Sequence, residues 1–330
     1  MGLRYTGRGV EAAEGPSRGA GEREDFVSDR RKVRVRVPAS TANLGPGFDA
    51  LGMALGLYNE IEVELAGTGL ALTVEGEGAD KLQSLGERNL VARSVTSTLE
   101  RLGIRPDGVR VHMVNRIPLS RGLGSSSAAA MGGVAAAVAL AGAVLEPEEM
   151  LDLALPFEGH PDNITPALLG GLTVSTVVEG KVRCVKLSVP DGLQAIAVIP
   201  EFHLSTAKAR KALPHTVPRA DAVFNVGRVA LFLAAMQAGR LDLLREAARD
   251  RLHQPYRAPL VPGMEEVLVE GERAGALACF LSGAGPTMLA LTTGDGRSIG
   301  ERMAACWKAR ANVSARAELL AIDREGLRVI

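Results

Sequence analysis

Apolar and polar residues alternate from Val33 to Val37, with Arg34 and Arg36 between them, and this period of two predicts a strand with one wet face. The same alternation predicts strands at Glu60–Leu65 and Val109–Val114. Asn89–Leu102 reads as a helix, Ser126–Leu145 as a longer one, and Pro147–Leu155 as a third that ends before the polar stretch Glu158–Asn163. Ser40–Gly52, dense in Gly, Pro and Asn, is expected to be a loop, and Pro166–Val178 to carry a Gly170–Gly171 turn into a strand. The second half opens on the continuous apolar run Leu193–Ile199, a buried strand, followed by helices at Asp221–Ala238, Leu241–Leu252 and Met264–Arg273. A strand, the loop Ser282–Thr287, the strand Met288–Thr292 and a terminal helix and strand complete it. There is no internal repeat. Strands and helices mixed within two blocks point to α+β domains rather than a doubly wound sheet.

Length agrees with two blocks, since 330 residues exceed the roughly 150 of one domain. The expected division is a tail at residues 1–31, a first domain at 32–190 and a second at 191–330. The tail is rich in Gly, Arg and Glu, too polar to bury a core, and is expected to be disordered. It lacks the apolar centre of a signal peptide. Its Gly15-x-Ser17-x-Gly19 match to a hydrolase nucleophile elbow has neither a strand before it nor a helix after it.

Hydrophobic content of 46% and charged content of 23% suit a globular protein, and with only 3% aromatics the core must be built from Ala, Val and Leu. A formal net charge of zero argues against a nucleic-acid partner. The three cysteines Cys184, Cys279 and Cys306 are far apart and without metal-ligand spacing, as expected of reduced thiols in a cytoplasmic protein. Ala128–Leu145 is long and apolar, but its Ala and Gly content is too weakly hydrophobic for membrane insertion. A helix buried on all sides is the better account, and no membrane partner is expected.

The chemistry concentrates just before that helix. The stretch Pro118–Leu119–Ser120–Arg121–Gly122–Leu123–Gly124–Ser125–Ser126–Ser127 follows a strand and opens into the helix. Gly122 and Gly124 allow positive φ and close approach of a ligand. The serines sit where the first helical N–H groups have no intrahelical partner, at the positive end of the helix dipole. That is a cradle for phosphate, and the hydroxyls can reach phosphate oxygens or Mg²⁺, which prefers oxygen ligands. An ordinary N-cap needs one serine, not three after two glycines. A dinucleotide fingerprint would need a third glycine where Ser127 stands, and a Walker loop would need Gly-Lys-Ser/Thr.

Three further polar segments interrupt the elements: Pro38–Asp49 (Pro-Ala-Ser-Thr-Ala-Asn-Leu-Gly-Pro-Gly-Phe-Asp), Glu158–Asn163 (Glu-Gly-His-Pro-Asp-Asn) and Leu281–Thr287 (Leu-Ser-Gly-Ala-Gly-Pro-Thr). With the phosphate loop, in this order, they resemble the motifs of the GHMP small-molecule kinases. The wording of Pro38–Asp49 and Glu158–Asn163, together with Ser205–Arg210 and Gln254–Arg257, is similar to the homoserine kinase branch. The resemblance covers residues 33 to 330. It implies two α+β domains, an N-terminal one bearing the phosphate loop and a C-terminal ferredoxin-like one, with ATP and substrate in the cleft between them. The activity implied is ATP-dependent phosphorylation of the L-homoserine hydroxyl, feeding threonine biosynthesis.

Residue roles follow from the same resemblance. Residues Pro118 to Ser127 would bind the phosphates of ATP, with Ser125 and Glu158 as Mg²⁺ ligands. Asn89 would face the adenine, although a helix N-cap is an equal account of it. Homoserine is a zwitterion. Arg210 and Arg257 would engage its carboxylate, since a guanidinium can do so bidentately. Asp49 and Asp162 would hold its ammonium, and Asn43, His160 and Asn163 would orient it by hydrogen bonds. Mevalonate and galactose kinases place an aspartate where a catalytic base is expected. Asn163 stands there in this chain, and an amide accepts no proton at neutral pH. Direct attack by the hydroxyl, with Asp162 as the nearest carboxylate, is therefore expected. Ser282–Thr287 serves either as a tight hairpin or as a support for the phosphate loop. A kinase for another small alcohol and a non-catalytic nucleotide or amino-acid sensor are the rival readings, and a homodimer stays open.

Overall fold

The computed structural model describes residues 31–330, so the expected tail (apart from Arg31) and the Gly15-x-Ser17-x-Gly19 match lie outside the described residues. The first block runs β1 (Lys32–Ala42), β2 (Leu51–Leu65), β3 (Gly69–Gly76), α1 (Ala79–Gln83), α2 (Leu90–Arg101), β4 (Gly108–Asn115), α3 (Ser125–Leu140), α4 (Pro147–Glu158), α5 (Pro161–Leu169), β5 (Leu172–Val178) and β6 (Lys181–Leu187). The second runs β7 (Gln194–Pro200), α6 (Thr206–Lys211), α7 (Arg219–Ala238), α8 (Leu244–Ala247), α9 (Gln254–Arg257), α10 (Met264–Arg273), β8 (Ala278–Leu281), β9 (Met288–Thr292), α11 (Gly296–Ala311), β10 (Ala315–Ala321) and β11 (Arg328–Val329).

In β1 the alternation is realised as read: Val33, Val35 and Val37 are buried, while Lys32 and Arg34 pair with Glu62 and Glu60 of β2. The strand continues past a register shift at Pro38/Ala39 as far as Ala42, and β2 already begins at Leu51. The expected Ser40–Gly52 loop is therefore only residues 43–50, because the small residues Ala39 to Ala42 pair with Leu55 to Gly52. The first sheet is ordered β11-β1-β2-β4-β3, with β5 on β2 and β6 on β5. Helix α3 is buried on nearly every side, as its composition requires, yet it stops at Leu140 rather than Leu145. Gly142, at φ +66°, follows the helix in the left-handed conformation that ends helices.

The second sheet is antiparallel, ordered β10-β7-β9-β8, the ferredoxin-like arrangement. Both faces of β7 are buried, which is why its sequence is continuously apolar: Ala195, Ala197 and Ile199 face the main core, while Ile196 and Val198 face α10 and α11. The expected helix at Leu241–Leu252 is cut short to a 3₁₀ turn and α8. The Asp250 carboxylate accepts from the backbone N–H groups of Leu252, His253 and Gln254, holding this stretch in a turn instead. After β10 the chain returns to the first sheet, where β11 pairs with β1 at Val35 and Arg36. Asp323 anchors this return: its buried carboxylate accepts from Tyr58, Arg328 and the amides of Glu325 and Gly326.

Candidate active site

A cavity of about 300 Å³ lies between the two sheets. At its centre the phosphate loop leaves β4 and enters α3 with Ser120, Gly122 and Gly124 at φ +54°, +76° and +69°. A β-carbon on Gly122 would overlap the Ser282 carbonyl, and one on Gly124 the Ser40 hydroxyl, so the neighbours as well as the backbone angle require glycine. Gly124 occupies the N-cap of α3 without a side-chain cap, which leaves the first N–H groups of the helix for a ligand. The loop is backed by the Ser282–Thr287 turn, which joins β8 to β9 and also braces the loop. The Ser282 hydroxyl donates to the Gly122 carbonyl (2.6 Å) and shares a hydrogen bond with the Thr41 hydroxyl (2.8 Å), and the Thr287 amide donates to the Arg121 carbonyl (3.2 Å). Both accounts of that segment hold together.

Helix α4 runs on to Glu158, and Pro161 starts α5, so the Glu158–Asn163 segment is a junction of two helix ends. This aims Glu158 at α3, where its carboxylate accepts from the hydroxyls of Ser126 (3.1 Å) and Ser127. Burial pushes the Glu158 carboxyl up, against the lowering effect of those serines. A partly desolvated carboxylate beside hydroxyl and phosphate-binding groups is an all-oxygen donor set, which fits Mg²⁺. In the first turn of α5, Asn163 accepts a 2.9 Å hydrogen bond on Oδ1 from the Ser40 hydroxyl, which turns its NH₂ group away from Ser40.

At one end of the cavity lie the charges. Arg210 of α6 binds Asp49 with two hydrogen bonds of 2.7 and 3.1 Å, and His160 stands 3.6 Å from the same carboxylate. Burial lowers the His160 pKa. Arg257 is 1% exposed and donates to the Gly283 carbonyl (3.0 Å) and to His253 (3.1 Å). Burial, with Arg210 adding to it, lowers its pKa to about 10, so it stays charged at neutral pH. His253 is held neutral by burial, at about 4, and its Nε2–H donates to Gly45 O at 2.7 Å while Nδ1 accepts from Arg257. Both guanidiniums lie over the Phe48 ring, 5.6 Å for Arg210 and 5.3 Å for Arg257, and His253 stacks against it. Asp162 is buried with its carboxyl raised to about 7, by burial first and then by Asp49, with Arg210 opposing.

The other end is lined by Leu82, Leu90, Met113 and three asparagines, with the exposed Lys81 of α1 at the rim. Every site residue singled out from the sequence lines this one cavity. Three of them turn their side chains to the protein. Asn43 donates to Gly283 O (2.9 Å) and accepts from the Asp49 amide (3.0 Å). Asn89 caps α2 through the Val91 amide (2.9 Å) and donates to Leu82 O (3.2 Å). The Arg121 guanidinium binds the carbonyls of Leu119, Pro200 and Glu201. Ser125 makes none of the hydrogen bonds to Glu158 that its two neighbours make. Sequence reasoning missed Phe48, His253, Ser40, Lys81 and Asn115. Only Phe48 and Ser40 had a signal, since both fall inside the first quoted segment.

The two sheets, their cleft and the braced phosphate loop are the parts of a small-molecule kinase, and the comparisons agree. Residues 89–171 match the family described as GHMP kinases N terminal domain, and residues 232–309 match GHMP kinases C terminal. The homoserine kinase of Moorella thermoacetica is 46% identical over 90% of this chain and 99% of its own length, and that of Desulfitobacterium hafniense 43% identical over 90% and 100%. The crystal structure of homoserine kinase from Cytophaga hutchinsonii superposes with a TM-score of 0.82 at 31% identity, covering 92% of this chain and 99% of that one. The chain belongs to the homoserine kinase family.

Proposed function

We propose that this chain transfers the terminal phosphoryl group of ATP to the hydroxyl of L-homoserine, giving O-phospho-L-homoserine for threonine biosynthesis. The observation that carries the reading is one cavity with a backbone phosphate cradle at its centre and two arginines with two aspartates at one end. That end is complementary to a zwitterion, and mevalonate, which has no ammonium group, would leave the aspartates unanswered. Arg210 and Arg257 hold the carboxylate, and Asp162 and Asp49 the ammonium. Asp49 already engages Arg210, so substrate exchanges an internal pair for two external ones.

Asn163 cannot take the hydroxyl proton, so it positions the hydroxyl for direct attack and the proton leaves late, to a phosphate oxygen. The Glu158 carboxylate and the serine hydroxyls, including that of Ser125, would hold Mg²⁺, which would supply neutralisation of the phosphate charge. The unpaired cysteines suit a reducing cytoplasm. A coupled ADP-release assay with Mg²⁺-ATP and a panel of L-homoserine, mevalonate, shikimate, L-serine and galactose tests this. Turnover with homoserine alone is expected. Turnover confined to another alcohol would return Arg210 and Arg257 to structural roles.

A further inference from the structure

His253 is fully buried where the two blocks of the chain meet, and the two partners of its ring leave it one form. Nε2 lies 2.7 Å from Gly45 O, a carbonyl that can only accept, so Nε2 carries the hydrogen. Nδ1 lies 3.1 Å from Nη1 of Arg257, a guanidinium that can only donate, so Nδ1 carries none. The Asp250 carboxylate, 3.6 Å from Nε2, does not compete for that hydrogen. It already accepts from the amides of Leu252, His253 and Gln254 and from the Asn225 side chain. The ring is therefore the neutral Nε2–H tautomer, an acceptor aimed at Arg257.

Among the described residues, both hydrogen bonds of the Arg257 guanidinium leave from Nη1, to His253 Nδ1 and to Gly283 O (3.0 Å). Each of these acceptors is tied in turn to the loop at residues 43–50. Gly45 O takes the His253 hydrogen, and the Asn43 side chain donates to the same Gly283 O (2.9 Å). The loop is itself tightly seated: Pro46 O accepts from Asn225 (3.0 Å), and a β-carbon on Gly45 would overlap Ala248 O. It carries Asp49, which binds Arg210, and Phe48, whose ring stacks on His253 at 5.2 Å and lies under both guanidiniums. Arg257 lines the cavity, and with Nη1 saturated it is Nη2 that remains for an anion.

We propose that His253 is a positioning residue for the substrate carboxylate: it holds Arg257 at a fixed angle and spacing from Asp49, so that the pair meets both charges of one amino acid. The proposal rests on reading the charged end as an L-homoserine site. Two substitutions separate the ring nitrogens. His253→Asn keeps an acceptor, Oδ1, near the place of Nδ1, whereas His253→Gln reaches the place of Nε2 and leaves Arg257 unanswered. Steady-state kinetics give KM and kcat for L-homoserine. Competition gives the Ki of 3-aminopropan-1-ol, which is L-homoserine without its carboxylate. His253→Gln should raise the homoserine KM by about 10-fold or more, as expected for a lost hydrogen bond to a charged group, with kcat and the aminopropanol Ki within about threefold. His253→Asn should recover most of the loss. A role confined to stability would move both ligands alike, and that result, or an unchanged homoserine KM in His253→Gln, overturns the proposal. On the unaltered chain, ¹⁵N NMR of labelled histidines at neutral pH should show His253 as the Nε2–H tautomer. A proton on Nδ1 overturns the proposal whether or not either variant folds. No turnover of L-homoserine by the unaltered chain would sink the substrate reading, and this role with it.

Discussion

The centre and the charged end of the cavity solve the same problem, holding an anion, by different means. The phosphate loop uses backbone: positive φ at Gly122 and Gly124, open N–H groups at the start of α3, and neighbours packed so closely that no β-carbon fits. The charged end uses side chains that hold one another until substrate arrives, Arg210 on Asp49 and Arg257 against His253 and Phe48. A backbone cradle is preorganised and indifferent to pH, and is broken by adding atoms. A side-chain clamp is tuned by burial and neighbouring charge, and is broken by removing them.

The sharpest test adds one methyl group. Gly124→Ala puts a β-carbon onto the Ser40 hydroxyl and close to Asn163 Oδ1, at 3.2 Å. It should lower kcat/KM by at least about 100-fold, because displacing the loop by a fraction of an ångström misaligns both phosphate and Asn163. Gly239→Ala is the control: its φ is also left-handed, +68°, but nothing crowds it, so only stability should fall, by about 1 kcal/mol. Circular dichroism and steady-state kinetics on both variants separate the two effects.

Removing atoms tests the other end. Arg210→Met should raise the homoserine KM by about 100-fold, as expected for a lost charge-assisted bidentate contact, and change the ATP KM by less than about threefold. If both constants rose together, the two ends would not be separable and the contrast would fail.

The contrast also explains what can be read from sequence. The phosphate loop is contiguous, and its chemistry demands Gly and Ser at fixed spacing, so residues 118–127 are legible from the amino-acid order alone. The side chains of the clamp come from four distant segments, and its supports are ordinary residues: a buried His253, whose helix is set by Asp250, and a Phe48 that is only a loop aromatic until two arginines lie over it. Strands with strong alternation, β1 and β4, are evident in the sequence, whereas β3, an exposed edge strand on which Val74 is the one buried residue, is not. The two-residue β11 carries no pattern at all, since its place beside β1 is fixed by Asp323 and the fold around it.

Asp162 gives the clamp a pH dependence that the cradle lacks. Its carboxyl is raised to about 7, mainly by burial and then by Asp49, so below that pH it is neutral and attracts the substrate ammonium weakly. The homoserine KM should fall by up to about tenfold as pH rises from 6 to 7.5 and then level off, while the ATP KM shows no such step. The sign for stability is opposite. The native state keeps a proton that the unfolded chain loses near the ordinary aspartate value of 3.8, so this group's contribution declines as pH rises from about 4 to 7. The loss is on the order of 4 kcal/mol at most. Asp162→Asn should therefore raise Tm at pH 8, remove the pH step in the homoserine KM and leave saturating turnover mostly intact. A collapse of kcat in that variant would make Asp162 the proton acceptor.

The smallest effect is expected at Asn89, where cap and base contact are equal accounts of one side chain on sequence grounds. Both ends of its amide are engaged by the protein, Oδ1 by the Val91 amide and Nδ2 by Leu82 O, which favours the cap. Asn89→Ala should then cost about 1 kcal/mol of stability and leave the ATP KM within about twofold of its starting value. Asn89→Asp keeps a capping oxygen on an equally good N-cap residue and should recover the loss. A side chain that met the base would behave differently: both variants would raise the ATP KM, and the aspartate would not rescue it. The two variants together decide whether the Asn89 amide is a helix cap alone or also a reader of the ligand.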